Sequence, residues 1–306
     1  METIPKATVV IPTRNRGTRF RATIDSVIMN RYPNFDIILV DQSLGDETEQ
    51  AVYAYTNNPS FQYLRSASQG AGVARNVGMM VASCEYILFT DDDCTVPPDW
   101  IEKMVSTLEQ DSSAALVFCT VTPGPHDSEQ GVVPHHIYNK HRTINNVRAY
   151  YRSVGMAAGL GAHHQKLVEI GGFDEHLGPG SSFRSGEDHD LAVRTLLAGW
   201  KVIETPDTEV VHYGFRTFSE FRELTKRDWF GIGAAEAKHF KCGYPQILYL
   251  ITYNLMVQSL WKPFSNVFCL KKPTGFRRFY HFLDGFVKAY KIEVDRQKIL
   301  FVIKSK

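Results

Sequence analysis

Three consecutive aspartates, Asp91, Asp92 and Asp93, follow the apolar run at Tyr86–Phe89. Residues two apart on a strand point to the same face, so a strand persisting to Asp93 would let Asp91 and Asp93 reach one cation. Magnesium and manganese favour oxygen ligands, and nucleotide sites commonly pair one or two carboxylates with substrate phosphates. A metal-bound diphosphate is the guest such a pair suits; a solvated turn is the other reading of three aspartates in a row. Two earlier apolar runs also close on polar residues, 8–12 on Thr13 and Arg14, and 36–40 on Asp41. Glu187 and Asp188 open a helical pattern with Ser185 as the expected cap, in a first turn where acids complement the helix dipole. His212 closes one more apolar stretch.

The elements that position these groups read as alternating strands and helices. Strands are expected at residues 8–12, 36–40, 61–64, 86–89 and 114–121, and helices at about 20–28, 47–55 and 73–82 and after Pro97-Pro98. The run at 36–40 is continuous and apolar, as in a strand buried on both faces. Such alternation predicts an α/β fold with a Rossmann-like, mostly parallel sheet, right-handed crossovers and helices on both faces. Ligands of open sheets bind outside the carboxyl ends of the strands, so Thr13, Arg14, Asp41 and Asp91 to Asp93 should gather along one edge.

The segments Val9-Val-Ile-Pro-Thr-Arg-Asn15, Leu39-Val-Asp-Gln-Ser43, Gly72-Val-Ala-Arg-Asn-Val-Gly78 and Phe89-Thr-Asp-Asp-Asp93 resemble the successive motifs of family 2 inverting glycosyltransferases with the GT-A fold. Gly171-Gly-Phe-Asp-Glu175, Gly186-Glu-Asp188 and Val210-Val-His212 continue the resemblance in order, over about two thirds of the chain. It implies a GT-A domain at residues 1–215 that transfers a sugar from a nucleotide diphosphate donor, a UDP-sugar, to an acceptor hydroxyl. Asp41 would recognise the base, with Pro12, Thr13 and Arg14 lining its pocket, and Arg75 would hold the donor near the diphosphate. Asp91 and Asp93 match the pair that binds ribose and metal, with Asp93 the direct ligand of Mn2+ or Mg2+ and His212 a further metal contact. Asp92 turns that pair into a triple and leaves the ligand register open. Asp188 would be the base and Glu187 a neighbour that orients the sugar. A helix N-terminus lowers a carboxyl's proton affinity whereas a base at neutral pH benefits from a raised one, so Asp188 needs burial to compensate.

Bulk properties fit this picture. The 306 residues carry a formal net charge of +1, so no global field argues for nucleic acid. Five widely spaced cysteines with no CxxC pair fit a reducing compartment, and the first residues carry no secretory signal, which predicts a cytoplasmic protein. Gly70-Ala-Gly-Val-Ala-Arg75 echoes a dinucleotide fingerprint but lacks its third glycine and follows the third strand, and no P-loop motif occurs. A non-catalytic nucleotide-sugar or carbohydrate-binding protein on the same fold is the alternative. Residues 121–151 lack periodicity and read as an acceptor-side loop, with His126, His135, His136 and His141 left unassigned. The Gly155 and Gly159 stretch reads as tight turns or a backbone approach to sugar. Residues 216–306 read as a helical extension in which Phe218, Phe221, Leu224 and Trp229 form a stripe interrupted at Gly231-Ile-Gly233. The uncharged stretch 244–261 is too polar for a convincing span. With Lys262, Lys271, Lys272, Arg277 and Arg278 among aromatics, it suits either a cap on the domain or peripheral contact with the cytoplasmic face of a membrane, where a lipid-linked or other carbohydrate acceptor would be met.

Overall fold

The computed structural model describes residues 4–152, 155–261, 264 and 276–302. The first half alternates as expected, through β1 (Ala7–Thr13), α1 (Arg21–Ile28), β2 (Phe35–Asp41), α2 (Glu47–Val52), β3 (Phe61–Arg65), α3 (Ala71–Val81) and β4 (Tyr86–Phe89). β1 pairs in parallel with β2 and β4, and β2 with β3. β5 (Cys94–Thr95) and α4 (Trp100–Glu109) follow. Side chains alternate across the sheet: Val9, Ile11, Ile37 and Leu39 share a core with α1, α2 and α4, while Val10, Ile38 and Val40 join Ala74 and Met79 of α3 on the other face. Both faces are dry, which is why these strands read as unbroken apolar runs.

The sheet is mostly parallel, as expected, with antiparallel pairs where β5 and two later strands join it. β6 (Ala114–Pro123), β7 (Gly131–Val132) and β8 (Arg142–Ile144) precede β9 (Leu160–His163), which lies between β4 and β6 and runs antiparallel to both. After α5 (His164–Glu169) and α6 (Glu187–Leu197), β10 (Lys201–His212) lies parallel to β6 and carries His212 to the edge where β1 and β4 end. β9 escapes a periodicity analysis because Leu-Gly-Ala-His is four residues long with a glycine inside. Ser185 is not the cap of α6. Gly186 occupies that position at φ 90°, and the Ser185 hydroxyl donates to Asp228 Oδ1 at 2.7 Å.

β11 (Arg216–Thr217) leads into α7 (Phe218–Lys241), one continuous helix of 24 residues that runs straight through Gly231 and Gly233, contrary to the expected interruption. A capping box starts it, with Thr217 and Glu220 exchanging side-chain to backbone hydrogen bonds. α8 (Ile247–Thr252), a π-helix at Tyr253–Trp261 and α9 (Phe276–Tyr290) follow, then the hairpin of β12 (Val294–Asp295) and β13 (Leu300–Phe301). The glycines serve helix contact. A Cβ on Gly233 would lie 2.1 Å from the Phe282 carbonyl oxygen of α9, and one on Gly285 would lie 2.0 Å from that of Phe230. Asn254 turns inward, donating to the buried Glu236 Oε1 at 2.7 Å, so this stretch packs as a cap on α7. Among the described residues no helix is long and apolar enough to cross a membrane. Cys84, Cys94, Cys119 and Cys242 are free. Cys269, Lys262, Lys271 and Lys272 lie outside the described residues.

A buried ionic cluster fastens α7 to the rest. Lys238 pairs with Asp174 and, at 2.7 Å, with Asp190 of α6, which also meets Arg194 Nε at 2.8 Å and His239 Nε2 at 3.0 Å. Phe301 N–H closes the cluster on Asp174 at 2.9 Å. Burial pushes the Asp190 carboxyl up, but Lys238, Arg194 and His239 outweigh it and hold it well below the usual range. Burial also lowers His239 to about 4, leaving it neutral at pH 7.

Two outcomes are expected in urea unfolding. Alanine at Gly233 gains about 1 kcal/mol of helix propensity but forces backbones apart at about 1–3 kcal/mol; with the Phe282 oxygen only 2.1 Å away the clash dominates, and the midpoint should fall. Stability should also decline as pH drops from 7 towards 4. The unfolded chain protonates His239 near its ordinary value while the folded imidazole resists to about 4, so the unfolded state binds more protons across that window. His239→Gln should flatten this slope.

Candidate active site

β1 and β2 end side by side, with Thr13 directly opposite Asp41. Beyond them Asn15 adopts a left-handed conformation at φ 55°, accepts from Leu44 N–H at 3.1 Å and donates its own N–H to Ser43 at 2.7 Å. Asparagine tolerates this geometry. The turn ties the two strand ends together and sets both Arg14 and Arg16 on one cavity of about 320 Å³.

β4 stops at Phe89, so Asp91 and Asp93 converge through a turn and not along a strand. Each aspartate has its own partner. Arg75 Nη2 donates to Asp91 at 2.7 Å. Asp92 is buried, accepting from Thr13 Oγ1 at 2.7 Å with Arg16 Nε at 3.2 Å; burial outweighs both partners and pushes it up to about 6. Asp93 Oδ2 accepts from Arg16 Nη2 at 2.8 Å, and its Oδ1 lies 3.4 Å from His212 Nε2. Burial raises Asp93, but the His212 and Arg16 contacts prevail and hold it below the usual range. His212 meets the converse balance, in which burial disfavours its charge and Asp93 restores it, with a net rise.

His212 lies opposite Cys94 in register, and its Nδ1 sits 2.8 Å from the Pro134 carbonyl oxygen. That oxygen can only accept, so Nδ1 carries the proton and Nε2 is presented to Asp93. A Cβ on Gly214 would lie 2.4 Å from Nε2 and 3.3 Å from Asp93 Oδ2, so glycine keeps the space beside both donors clear. Carboxylate and imidazole donors in a glycine cradle, facing a cavity that can admit phosphate oxygens, fit manganese or magnesium. Cys94 belongs to the same cluster, but burial holds its thiol well above the ordinary value and leaves it protonated.

Behind Arg75 lies the start of α6. Arg75, 3% exposed, reaches from α3 to Asp91 and approaches Glu187 Oε1 at 3.5 Å. Burial raises the Glu187 carboxyl despite Arg75. Asp188 is raised well above the ordinary range, first by the protein packed around it and then by the Glu187 charge, with Arg75 and the Ala157 N–H opposing. The Ala157 N–H holds Oδ2 at 3.1 Å, whereas Oδ1 has no protein partner. Burial therefore wins over the helix terminus, and the net shift of the Asp188 carboxyl is upward.

One cavity thus collects Pro12, Thr13, Arg14, Arg75, Asp91, Asp92, Asp93 and His212. Asp41 stands behind it, wholly buried, accepting from Ser43 N–H and Tyr63 O–H at 2.8 Å each, while its neighbour Gln42 faces the cavity. Glu187 and Asp188 are reached through Arg75. Arg14 Nε is shielded from solvent without a protein acceptor. The four histidines of residues 121–151 do not assemble: His141 contacts Asp207 on the surface, while His126 and His135 bond nearby backbone carbonyls.

The family described as Glycosyl transferase family 2 matches residues 8–167, just over half of the sequence. The chain belongs to glycosyl transferase family 2. Among its relatives, the uncharacterized glycosyltransferase YibD of Escherichia coli (strain K12) is 36% identical over 117 residues, covering 38% of this chain and 34% of that protein. The match therefore spans about a third of that relative's length. The succinoglycan biosynthesis protein ExoA of Rhizobium meliloti (strain 1021) is 26% identical over 244 residues, 76% of this chain and 69% of ExoA. In structure, the mannosyltransferase PcManGT of Pyrobaculum calidifontis, solved with GDP-Man and Mn2+, superposes with a TM-score of 0.65 at 17% identity over 94% of this chain and 88% of that one. The fold is of the GT-A type, a mixed sheet of mostly parallel strands flanked by helices, with helices at the C-terminal end.

In this family 2 chain, Arg16, Arg216, Gly214 and Pro134 are site residues that the motifs did not single out. Arg16 was within reach, since it sits in the same polar turn as Arg14; the other three depend on where β10 and the 121–151 segment meet. Gly214→Ala should weaken Mn2+ binding at least about tenfold while leaving the melting temperature near that of the parent, as read by electron paramagnetic resonance of free Mn2+ and by thermal unfolding.

Proposed function

We propose that this protein is an inverting, metal-assisted glycosyltransferase that moves a sugar from a nucleoside diphosphate donor, a UDP-sugar, to an acceptor hydroxyl in polysaccharide or glycoconjugate synthesis. The observation that carries this reading is the cavity in which Asp93 and His212 stand beside Asp91, whose partner Arg75 leads behind the wall to Glu187 and the unpartnered Asp188 Oδ1. Domain 1–215 would hold the donor, with Pro12, Thr13 and Arg14 lining the nucleotide pocket and Asp41 stiffening it from behind. Asp91 would meet the ribose side. Asp93 and His212 would hold Mn2+ or Mg2+, which when bound neutralises charge on the departing diphosphate.

Inverting transfer is one displacement. The acceptor oxygen bonds to the anomeric carbon, the bond to the diphosphate oxygen breaks, and the hydroxyl proton passes to Asp188 Oδ1. Ala157 N–H fixes the other oxygen of that carboxylate, which leaves one oxygen free to receive the proton. Glu187, held by Arg75, would orient the sugar. Residues 216–306 are proposed as an extension that touches an anionic membrane on the cytoplasmic side and so meets lipid-linked acceptors. Residues 237–283 contain no Asp or Glu, and Tyr249, Met256, Trp261 and Tyr280 are exposed there.

A panel of UDP- and GDP-sugars with Mn2+, followed by nucleotide release, tests the reading. Asp93→Ala should lose activity, and equal turnover by both proteins would favour a sugar-binding protein without metal chemistry. Asp188→Asn should keep donor binding and lose transfer by about 10²–10⁴-fold. In the parent, kcat should fall as pH is lowered through the raised Asp188 value, because the base acts only when deprotonated; this acidic limb should lie above the usual carboxylate range. A rate independent of pH down to 4 would remove Asp188 from the role.

A further inference from the structure

We propose that Arg16 is an exchangeable counter-ion, which neutralises Asp92 and Asp93 in the free protein and transfers its guanidinium to the diphosphate when donor and cation arrive together. The inference deepens the proposed function and rests on its metal assignment to Asp93 and His212. Arg16 donates to Asp93 Oδ2 at 2.8 Å and lies 3.2 Å from Asp92 Oδ1. It takes one oxygen of the carboxylate whose other oxygen faces His212 Nε2. A cation binding at that second oxygen would share the charge of Asp93 with a guanidinium already using it, so its affinity for the free protein is diminished.

Arg16 differs from Arg75 in having room to move. Its side chain is 31% exposed against 4% for Arg75, which is enclosed between Asp91 and Glu187. Arg16 also lines two cavities at once, the donor cavity and a neighbouring one of about 370 Å³ bounded by Tyr213, Gly214 and Phe215, and both share Asp93 and Arg216. A diphosphate entering between them offers oxygen pairs that match the planar fork of an arginine. Exchange then costs no hydrogen bonds: Arg16 passes from carboxylate to phosphate, Asp93 becomes fully available to the cation, and Thr13 keeps Asp92 fixed. Asp92 need not move, because its Thr13 contact is independent of Arg16. Linkage makes the effect reciprocal, so whatever Arg16 withholds from the cation alone it returns as cooperativity between cation and nucleotide.

The test is Mn2+ titration read by electron paramagnetic resonance of the free ion, for the full chain and for Arg16→Gln and Arg16→Lys, without nucleotide and with saturating UDP or GDP. Without nucleotide, Arg16→Gln should bind Mn2+ about tenfold tighter than the parent. With nucleotide the two should converge or reverse, and in metal-free buffer Arg16→Gln should bind UDP more weakly. Arg16→Lys keeps the charge without the fork and should fall between them; it decides the matter if Arg16→Gln melts well below the parent. Unchanged or weaker Mn2+ binding by both variants without nucleotide, with the parent binding Mn2+ in the presence of UDP, overturns the exchange and makes Arg16 a fixed strut. Should the parent bind no Mn2+ even with UDP or GDP, the metal assignment itself fails and takes this inference with it.

Discussion

The architecture of the site depends on one buried cation. Arg75 rises from α3 into a region where Asp91, Glu187 and Asp188 crowd together, and its Coulombic attraction to all three offsets what burial costs it. A guanidinium so enclosed is tolerated only when its charge is matched, and carboxylates so close would repel without it. The Arg75 guanidinium carbon also lies over the Phe173 ring, 5.4 Å from its centroid, which adds an aromatic contact to its ion pairs. One side chain thereby sets the separation between a strand end that would serve the donor and a helix start that would serve the acceptor. Its reach is guaranteed by two unrelated elements, the helix that carries it and the loop that brings Phe173.

Much of the edge that carries the candidate site was legible in the sequence because it is local. Thr13, Arg14, Asp41 and the three aspartates each close an apolar run, and the rule that ligands gather at carboxyl ends places them on one edge. The structure refines this without moving the edge: the aspartates converge through a turn, and Asp41 braces the pocket from behind. What could not be read was set by contacts distant in sequence. The antiparallel β9 has no period to detect, and its position follows only from the need to fill the space between β4 and β6. Gly231 and Gly233 have the composition of a helix break, yet Gly231 lies against the Ser185 backbone and Gly233 against α9, more than forty residues later, and only that packing explains them. The raised proton affinity of Asp188 likewise depends on its burial in the folded chain and on the Glu187 charge, and the burial is something no local pattern encodes.

The interior between α6 and α7 is unusually polar for a helix contact. Beside the Lys238 cluster, the fully buried Glu236 lies 3.4 Å from His189, the residue after Asp188, and accepts from Asn254 of the π-helix. Ion pairs of this kind seldom add much stability over apolar packing, but they tolerate only one alignment, since a slip of one residue would strand several charges at once. Here they index α6 against α7, so the register of Glu187 and Asp188 behind Arg75 is controlled from the C-terminal helices.

That indexing bears on how such proteins can be recombined. The stretch matching the family ends at residue 167, before α6 begins, whereas the partners that hold α6 in register extend to Phe301. A chimaera spliced at the family boundary would keep Asp174, Asp190 and Lys238 in one piece but would part Glu187 from its Arg75 and Asp188 from its Ala157. Grafts of everything from Gly171 onward should therefore travel with a matching Arg75 and Ala157, because the inheritance of that half is collective.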